Sequence, residues 1–413
     1  MAAEVAAPAA RALMERADVL AACSEAADRL TRRFGTAAHA EACAAVSDWM
    51  RAAAMDVRRD AIGNVIGRSE GDAPDAPALL LGSHLDTVPD AGRYDGALGV
   101  LAGIAAVERL RADGSRLPFP LEVVAFADEE GSRFGTAYLG SSVLAGCFDA
   151  SALGRVDGDG VSLEDAIRRF GGDPAGLAEA RRAPRSLIGY AEVHIEQGPV
   201  LEQRGLPLGV VTGIAGQTRA ALRFTGTPGH AGTVPMELRR DALWVAAEMV
   251  LEAETVARET PGLVATVGEL TVLPGAANVI PGRADLTLDV RHPDDAARAT
   301  AVARLRERAG EIAAARGVDF EWDRLHSQEA VGCDPELTGL MERAVRAGGA
   351  QPYRLASGAG HDAAMVAAIA PVTMLFVRCA GGVSHHPGES ISEADVAIAL
   401  DTLAHFVEEV AAR

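Results

Sequence analysis

Four short motifs in this 413-residue chain combine histidines with acidic residues, which is the residue chemistry of a metal site. In the first, His84 and Asp86 form a His-x-Asp motif, and Asp95 follows shortly after. Imidazole nitrogen and carboxylate oxygen are ligands that suit Zn²⁺, Mn²⁺ and Co²⁺. The spacing lets the Asp86 carboxylate hydrogen-bond the second ring nitrogen of His84, which would fix the orientation of a ligand histidine. On its own, the motif is equally compatible with a surface histidine beside an aspartate.

Two adjacent glutamates, Glu129 and Glu130, form the second motif. Neighbouring side chains do not easily enter one metal shell together, but they can divide the work of hydrolysis. One ligates the metal, and the other accepts a proton from the attacking water as a general base. Without the other motifs, a solvated acidic turn would explain this pair better.

The remaining two motifs each contribute a histidine. His194 precedes Gln197 in an HIEQGP segment, and His385 lies with His386 in a loop rich in glycine, serine and proline. Five nitrogen and oxygen ligands with one bridging carboxylate suit a pair of divalent ions about 3.5–4 Å apart. The absence of a thiolate favours a catalytic site over a closed structural one. The candidate ligands are His84, Asp95, Glu130, His194 and His385.

These motifs follow segments that the sequence predicts to be strands. Apolar runs of strand length cover residues 77–84 and 121–127, a shorter strand is predicted near 64–68, and a helix is predicted over 96–112. Strands that alternate with helices indicate an α/β sheet, in which ligands lie beyond the carboxyl ends of the strands. Residues 8–57 are predicted to be helical because their apolar residues recur near helical spacing.

The middle of the chain has a different pattern. Residues 220–226 and 285–291 alternate as half-exposed strands do, helices are predicted over 241–257 and 296–316, and a short strand near 318–322. This order predicts a small α+β domain inserted into the α/β domain. The expected bounds are residues 1–213 and 330–413 for the α/β domain and 214–329 for the insert.

Composition and charge exclude several classes of function. The formal net charge is −19, which disfavours nucleic acid and anionic membranes because both are bound through Lys and Arg. The five cysteines are widely spaced without a C-x-x-C motif, so we expect neither a disulfide framework nor a thiolate zinc site. This cysteine pattern fits a reducing cytoplasm, where we expect the protein. We expect no membrane span, because no apolar run reaches about 18 residues, and no signal peptide, because the N-terminus lacks its pattern.

Six segments, in order, resemble the N-carbamoyl-L-amino-acid hydrolase and allantoate amidohydrolase branch of peptidase family M20, and the resemblance covers nearly the whole chain. They are GSHLDTV at 82–88, YDG at 94–96, FADEEGSRF at 126–134, HIEQGP at 194–199, GHAGTVPM at 229–236 and SHHP at 384–387. The resemblance implies a zinc-exopeptidase-like catalytic domain with a mixed sheet and flanking helices. It also implies two divalent metal ions per subunit, which can be Zn²⁺, Mn²⁺ or Co²⁺.

The resemblance also assigns roles to the candidate ligands. It implies that Asp95 bridges the two ions, with His84 and His194 completing one site and Glu130 and His385 the other. It implies that Glu129 is the general base and that Asp86 supports the catalytic centre. The peptidase branches of the clan carry an acid where His194 stands, so this histidine points to the carbamoylase and allantoate side.

The insert resembles the family's ferredoxin-like lid and dimerisation domain, which implies a homodimer. His230 would stabilise the developing oxyanion from this lid. Arg291 would bind a substrate carboxylate through its rigid fork, and Asn278 would hold a carbonyl or carboxylate oxygen. Gln197 and Gln217 suit a ureido group, because an amide both donates and accepts hydrogen bonds. The loop with Gly360 and His361 would also contact the substrate. From the residues alone, a surface salt bridge with Asp289 or Asp294 explains Arg291 equally well, and a polar turn explains His230 better.

The activity that this resemblance implies is hydrolysis of an amide or ureido C–N bond in a small carboxylate-bearing substrate, such as an N-carbamoyl-L-amino acid. An allantoate amidohydrolase of purine catabolism is the alternative within the class. A dipeptidase or aminoacylase is disfavoured by His194, and a non-catalytic relative by the presence of every candidate ligand and of Glu129.

Overall fold

The computed structural model describes residues 2–413, with side chains from residue 7 onward. The chain divides into two compact units. The first runs through Thr212 and includes Cys333–Leu355 and Gly360–Arg413, and the second comprises Gly213–Gly332 and Ala356–Ala359.

The strands are β1 (Asp56–Arg59), β2 (Val65–Ser69), β3 (Ala78–His84), β4 (Leu121–Phe126), β5 (Leu187–Ile195), β6 (Leu208–Ile214), β7 (Gly216–Thr225), β8 (Gly229–His230), β9 (Val264–Leu273), β10 (Val279–Ile280), β11 (Arg283–His292), β12 (Asp319–Gln328), β13 (Val331–Gly332), β14 (Arg354–Ser357) and β15 (Val372–Val377). The α-helices are α1 (Ala2–Ala22), α2 (Ala37–Ala52), α3 (Ala97–Ala112), α4 (Leu139–Ala145), α5 (Leu163–Arg169), α6 (Val200–Arg204), α7 (Ala242–Glu259), α8 (Asp295–Ala315), α9 (Pro335–Ala347), α10 (Ala363–Val366) and α11 (Glu393–Ala411).

A mixed sheet has strand order β1-β2-β4-β3-β5-β15-β6-β13, with β14 paired to β6, and most of its strands form the centre of the first unit. Its middle strands β4, β3, β5 and β15 run parallel to one another. Every residue of β3, β4 and β15 is buried, as expected of strands that helices cover on both faces. The predicted mixed sheet with flanking helices is confirmed. The strands near 64–68, 77–84 and 121–127 are found as β2, β3 and β4.

Helix α3 occupies the segment predicted to be helical at 96–112. Two of its glycines let it pack closely on the sheet. A Cβ at Gly99 would lie 2.3 Å from the Val193 carbonyl oxygen, and one at Gly103 would lie 2.9 Å from Val123 Cγ1. The helix therefore lies directly behind the strand ends, and its first turn is held next to them.

The helical prediction for residues 8–57 is wrong between α1 and α2, and also after Ala52, where α2 ends and β1 soon begins. The chain leaves the helical conformation after Ala22, and α2 begins at Ala37, where the Thr36 side chain caps it. The intervening loop is held by the buried Arg32, which donates to the Leu85 carbonyl at 2.7 Å and to the carbonyls of Leu20 and Cys23. Leu30 and Phe34 of this loop are buried without helical structure. They are four residues apart, which resembles the spacing of a helix.

The second unit contains an antiparallel sheet of order β12-β7-β11-β9, and α7 and α8 pack against it. Apolar and polar residues alternate in β7 and β11, whose inward side chains form the core with the two helices. The predicted strands and helices of this region are confirmed, although β12 is longer than expected. Strand β9 was not predicted, because most of its side chains are at least partly exposed and no clear alternation results.

Within residues 2–413, no helix combines the length and apolar character that spanning a membrane requires.

Candidate active site

The parallel strands of the first unit bring the histidine and acidic motifs to one edge of the sheet. His84 is the last residue of β3, and His194 lies at the end of β5. Glu129 and Glu130 follow β4, and Asp95 lies just before α3. Because β3, β4 and β5 are parallel neighbours, their carboxyl ends meet at the same edge.

Asp95 is at the centre of this cluster and is 5% exposed. Its Oδ1 atom lies 3.4 Å from His84 Nε2 and 3.3 Å from His194 Nε2. Its Oδ2 atom lies 3.4 Å from His385 Nε2, which is in turn 3.3 Å from Glu130 Oε1. The two oxygens of one carboxylate therefore face two separate groups of potential ligands.

These separations fit coordinated metal ions. In a tetrahedral zinc site, bonds of about 2.0–2.1 Å place neighbouring nitrogen and oxygen ligands roughly 3.3–3.4 Å apart. The two groups, His84–Asp95–His194 and Asp95–Glu130–His385, each bring one donor atom per residue within 4.8 Å of the others. They share only Asp95, so the donor set suits two ions with a bridging carboxylate.

The two buried histidines are oriented by backbone carbonyls. The Nδ1 atom of His84 lies 3.0 Å from the Asp86 carbonyl oxygen, and that of His194 lies 2.9 Å from the Ile195 carbonyl oxygen. A proton on Nδ1 satisfies these contacts and leaves the Nε2 lone pair facing Asp95. The sequence placed the Asp86 carboxylate on His84, whereas the closer acceptor is the Asp86 main chain, with Oδ1 at 3.4 Å.

The Asp86 carboxylate mainly holds the loop of the two glutamates. Its oxygens accept the backbone N–H of Glu129 at 2.9 Å and that of Glu130 at 3.1 Å. Asp128 is buried beside it, and burial together with the Asp86 carboxylate raises the pKa of Asp128 well above its ordinary value. The pKa of Asp86 is lowered, so Asp86 is the more acidic group of this pair, and its two hydrogen bonds hold the backbone of the two glutamates.

Glu129 is 8% exposed and lies within 4.8 Å of His84 and Glu130. Burial raises the pKa of Glu129 well above its ordinary value, and the carboxylates of Glu130, Asp362 and Asp86 raise it further, against the opposing effect of His84. Glu130 alone of the two glutamates also contacts His385. This contact favours Glu130 over Glu129 as a ligand shared with His385, and it leaves the Glu129 carboxylate available for acid–base chemistry.

Gln197 lies against the metal-ligand cluster. Its Nε2 donates to Asp95 Oδ2 at 2.7 Å, as does the Ser384 hydroxyl. Gln197 and His385 both have positive φ angles, 57° and 54°, which non-glycine residues rarely adopt outside functional sites. The buried Oε1 atom of Gln197 has no hydrogen-bond partner among residues 2–413.

Gly96 is required where α3 starts beside the cluster. It has a φ angle of 66°, and a Cβ there would lie 2.4 Å from His84 Cε1. Any side chain at this position would displace the His84 ring from Asp95.

Glu389 is a site residue that the sequence analysis missed. Its Oε1 atom accepts the backbone N–H of Tyr94 at 2.8 Å and that of Asp95 at 3.1 Å. Burial raises its pKa to about 7. Because Glu389 lies in the same loop as His385, it connects that loop to the backbone of Asp95. Its place in the histidine-rich segment was the signal that could have identified it.

His361 and Gly360 lie behind the cluster. The buried His361 ring packs edge-on against His194, with centroids 4.6 Å apart, and burial lowers its pKa well below the ordinary value. A Cβ at Gly360 would lie 1.8 Å from the Tyr138 hydroxyl oxygen.

Glu192 on β5 was also missed from the sequence, and it accepts a hydrogen bond from Ser83 at 2.7 Å. A glutamate inside an otherwise mainly apolar strand segment was the available signal.

Four predicted site residues belong to the second unit, where they form two pairs. Gln217 and Arg291 are directly opposite on β7 and β11. His230 lies on β8 beside β10, and the Asn278 carbonyl accepts the Ala231 N–H at 2.9 Å. His230 is exposed, and its Nδ1 accepts the Gly232 N–H at 3.1 Å.

Comparison with known proteins identifies the family of the chain. The sequence profile of peptidase family M20/M25/M40 matches residues 80–409. A protein of Oryza sativa subsp. japonica named probable allantoate deiminase is 44% identical, over 92% of this chain and 84% of its own. A protein of Geobacillus stearothermophilus named N-carbamoyl-L-amino acid amidohydrolase is 43% identical, over 92% of this chain and 93% of its own.

The fold also matches a solved structure. A hydantoinase/carbamoylase family amidase from Burkholderia multivorans is similar with a TM-score of 0.91 and 34% identity, covering 96% of this chain and 97% of that one. The profile match extends over every candidate ligand from His84 to His385. The chain therefore belongs to peptidase family M20/M25/M40 and is a hydrolase of amide-type C–N bonds, related to the hydantoinase/carbamoylase family amidases.

Proposed function

We propose that the chain is a dinuclear-metal hydrolase that cleaves the ureido C–N bond of an N-carbamoyl-L-amino acid or a related ureido acid. The products of a carbamoyl substrate are the amino acid, ammonia and carbon dioxide. The observation that carries this proposal is the Asp95 carboxylate, whose oxygens face His84 and His194 on one side and His385 on the other at 3.3–3.4 Å.

The ligand roles follow from this geometry. His84, His194 and Asp95 would hold one ion, and Asp95, Glu130 and His385 would hold the other. Zn²⁺, Mn²⁺ and Co²⁺ all accept this set of nitrogen and oxygen ligands. Divalent ions supply Lewis-acid polarisation of the scissile carbonyl and acidification of water.

Glu129 moves the proton in the proposed reaction. It accepts a proton from the water that attacks the ureido carbonyl and returns it to the leaving nitrogen, so one group serves as base and then as acid. The raised pKa of this buried carboxylate suits such a role, because the group must both take and release a proton near neutral pH. The bond from the Glu129 N–H to Asp86 keeps its loop in place.

Other residues orient the substrate in this proposal. Arg291 and Asn278 bind the substrate carboxylate, and His230 donates to the oxyanion that develops on the carbonyl. Gln217 and Gln197 hydrogen-bond the ureido group. The Gly360–His361 segment completes the binding site.

A homodimer through the second unit is part of the proposal. Strand β9 is an edge of its sheet, and three of its apolar side chains, Val264, Leu270 and Leu273, are exposed. Leu251 on α7 is 64% exposed. An exposed edge strand with apolar side chains is a surface that a second copy can cover. Light scattering that gives the mass of two chains would support the dimer, and the mass of one chain would contradict it.

Allantoate is the second candidate substrate. The Oryza sativa relative, named probable allantoate deiminase, and the Geobacillus stearothermophilus relative, named N-carbamoyl-L-amino acid amidohydrolase, are 44% and 43% identical to this chain. The two names therefore support the two substrates equally, and both substrates combine a ureido group with a carboxylate.

Ammonia release tests the proposal. Purified protein loaded with Mn²⁺ or Zn²⁺ is given N-carbamoyl-L-amino acids and allantoate side by side, together with Glu129→Gln. The matched control is Glu15→Gln, the same change at an exposed glutamate of α1. We expect ammonia from wild type and the control, and a loss of about 10²–10⁴-fold in Glu129→Gln with the metals still bound. Ammonia from allantoate alone would select the second candidate, and full activity of Glu129→Gln would refute the assigned base.

A further inference from the structure

The Asp289 carboxylate on β11 accepts hydrogen bonds from three side chains of the second unit. Its Oδ2 atom accepts hydrogen bonds from Gln217 Nε2 at 2.6 Å and from Arg219 Nε at 3.0 Å. Arg291 binds both of its oxygens, with Nε at 3.0 Å from Oδ1 and Nη2 at 3.1 Å from Oδ2. One carboxylate therefore fixes two residues to which the proposed function gives substrate contacts.

The hydrogen bonds of Arg291 define what it can still bind. A guanidinium has five N–H groups. Two of them donate to Asp289, and a third, on Nη1, donates to the Gly358 carbonyl at 2.8 Å. In the described part of the chain, no other partner takes the remaining two, one on each terminal nitrogen. Two N–H groups held in one plane match the two oxygens of a carboxylate.

The charges of this group also suit an anion. Arg219, Arg291 and Asp289 together carry a net charge of +1, because two guanidinium groups share one carboxylate. The hydrogen bond and charge of Arg291 lower the pKa of Asp289 despite the opposing effect of burial, so Asp289 is an anion at neutral pH. A guanidinium that is already oriented loses less side-chain entropy when it binds a ligand than a free one would.

We propose that Asp289 is a positioning residue that holds the guanidinium of Arg291 in the orientation that binds the carboxylate of the substrate. This inference rests on the proposed function, since it gives Arg291 a substrate carboxylate to bind. A purely structural role for Asp289, as a cross-strand partner of Arg219, is the alternative that the test must separate.

The same strand contains a matched control. Asp285 lies four residues earlier on β11, on the same face of the sheet, opposite Arg223 of β7. It accepts from Arg223 Nε at 2.9 Å and from Arg283 Nε at 2.8 Å. Asp285 therefore repeats the cross-strand and same-strand arginine contacts of Asp289, without contacting any residue assigned to the substrate.

The experiment compares wild type, Asp289→Asn and Asp285→Asn on two substrates. One is an N-carbamoyl-L-amino acid, and the other is the same compound with its carboxylate converted to a carboxamide. We expect Asp289→Asn to lower kcat/KM for the carboxylate substrate about tenfold, mainly through KM, and to leave the carboxamide nearly unchanged. Asp285→Asn should keep the preference of wild type for the carboxylate, and the two variants should lose similar thermal stability.

The outcomes separate the inference from the function on which it rests. If wild type prefers the carboxylate and Asp289→Asn keeps that preference, or Asp285→Asn loses it equally, the positioning role is overturned and the proposed function stands. If wild type releases ammonia neither from these two substrates nor from allantoate, the proposed function fails and the inference fails with it.

Discussion

Replacing Asp86 with asparagine should weaken metal binding without unfolding the chain. Asp86 is fully buried, and its two oxygens accept the N–H groups of Glu129 and Glu130 at 2.9 and 3.1 Å. Asparagine has the same shape, but one of its two polar atoms is a donor. One of the two N–H groups therefore loses its acceptor, and the loop that carries Glu130 is no longer held at both points.

The expected magnitude follows from these two hydrogen bonds. A hydrogen bond to a charged group contributes about 1.5–3 kcal/mol, and a buried donor without a partner costs about 1–3 kcal/mol. A change of about 1.4 kcal/mol is tenfold in an equilibrium constant. If the loss falls on the ion held by Glu130, metal affinity should decrease about 10–100-fold, which is typical of residues that orient metal ligands.

Asp128 provides the matched control for this change. It is as deeply buried as Asp86 and lies beside it, but burial and the neighbouring Asp86 carboxylate raise the pKa of Asp128 well above its ordinary value, which favours its protonated form. Asparagine resembles a protonated aspartic acid, because both offer one donor and one acceptor. Asp128→Asn should therefore bind metal with an affinity close to that of wild type.

The assay is calorimetric titration of metal-stripped protein with Zn²⁺ or Mn²⁺, together with ammonia release at saturating metal. We expect Asp86→Asn to need a higher metal concentration for activity, while Asp128→Asn follows the wild-type curve. Wild-type affinity for both ions in Asp86→Asn would refute the positioning role. A larger defect in Asp128→Asn than in Asp86→Asn would refute the assignment of charge within the pair.

Three further changes test other parts of the structure. Arg32→Met removes the donors to three carbonyls, two of them buried, so the free energy of unfolding should fall by about 2–4 kcal/mol in chemical denaturation. An unchanged denaturation midpoint would contradict this. Gly360→Ala brings a methyl group against the Tyr138 hydroxyl, so the KM for the substrate should rise. Adding Tyr138→Phe removes that hydroxyl and should bring KM part of the way back to the wild-type value. An unchanged KM in the double variant would exclude this clash as the cause. Glu389→Ala removes the acceptor of the Tyr94 and Asp95 N–H groups, so activity should fall about 10–100-fold at limiting metal. If the activity of this variant depends on metal concentration as that of wild type does, the role of Glu389 in holding Asp95 is contradicted.

The sequence predicted the parts of the fold with strong local patterns. The apolar runs at 77–84 and 121–127 and the helix at 96–112 appear as β3, β4 and α3, because buried strands and helices have clear periodicities. The loop around Arg32 was predicted wrongly, since a buried loop that depends on side chain to carbonyl bonds has no periodic signal. Strand β9 was missed because its exposed edge position leaves no alternation.

The candidate site shows the same limit. The residue types of His84, Asp95 and His194 indicated metal chemistry, but their 3.3–3.4 Å separations depend on which strands are neighbours in the sheet. The contacts of Glu389 with the backbone of Asp95 join residues far apart in the chain, and no local pattern encodes them. Likewise, the sequence offered Arg291 and Asp289 as a salt bridge, and the structure adds Gln217 to the same carboxylate.

The most direct test of the account is a crystal structure of the metal-loaded protein with anomalous scattering recorded at the metal edge. The account predicts two anomalous peaks about 3.5–4 Å apart on either side of the Asp95 carboxylate. One should lie beside His84 and His194, and the other beside Glu130 and His385. A single peak, or a second peak that Asp95 does not share, would contradict the dinuclear site.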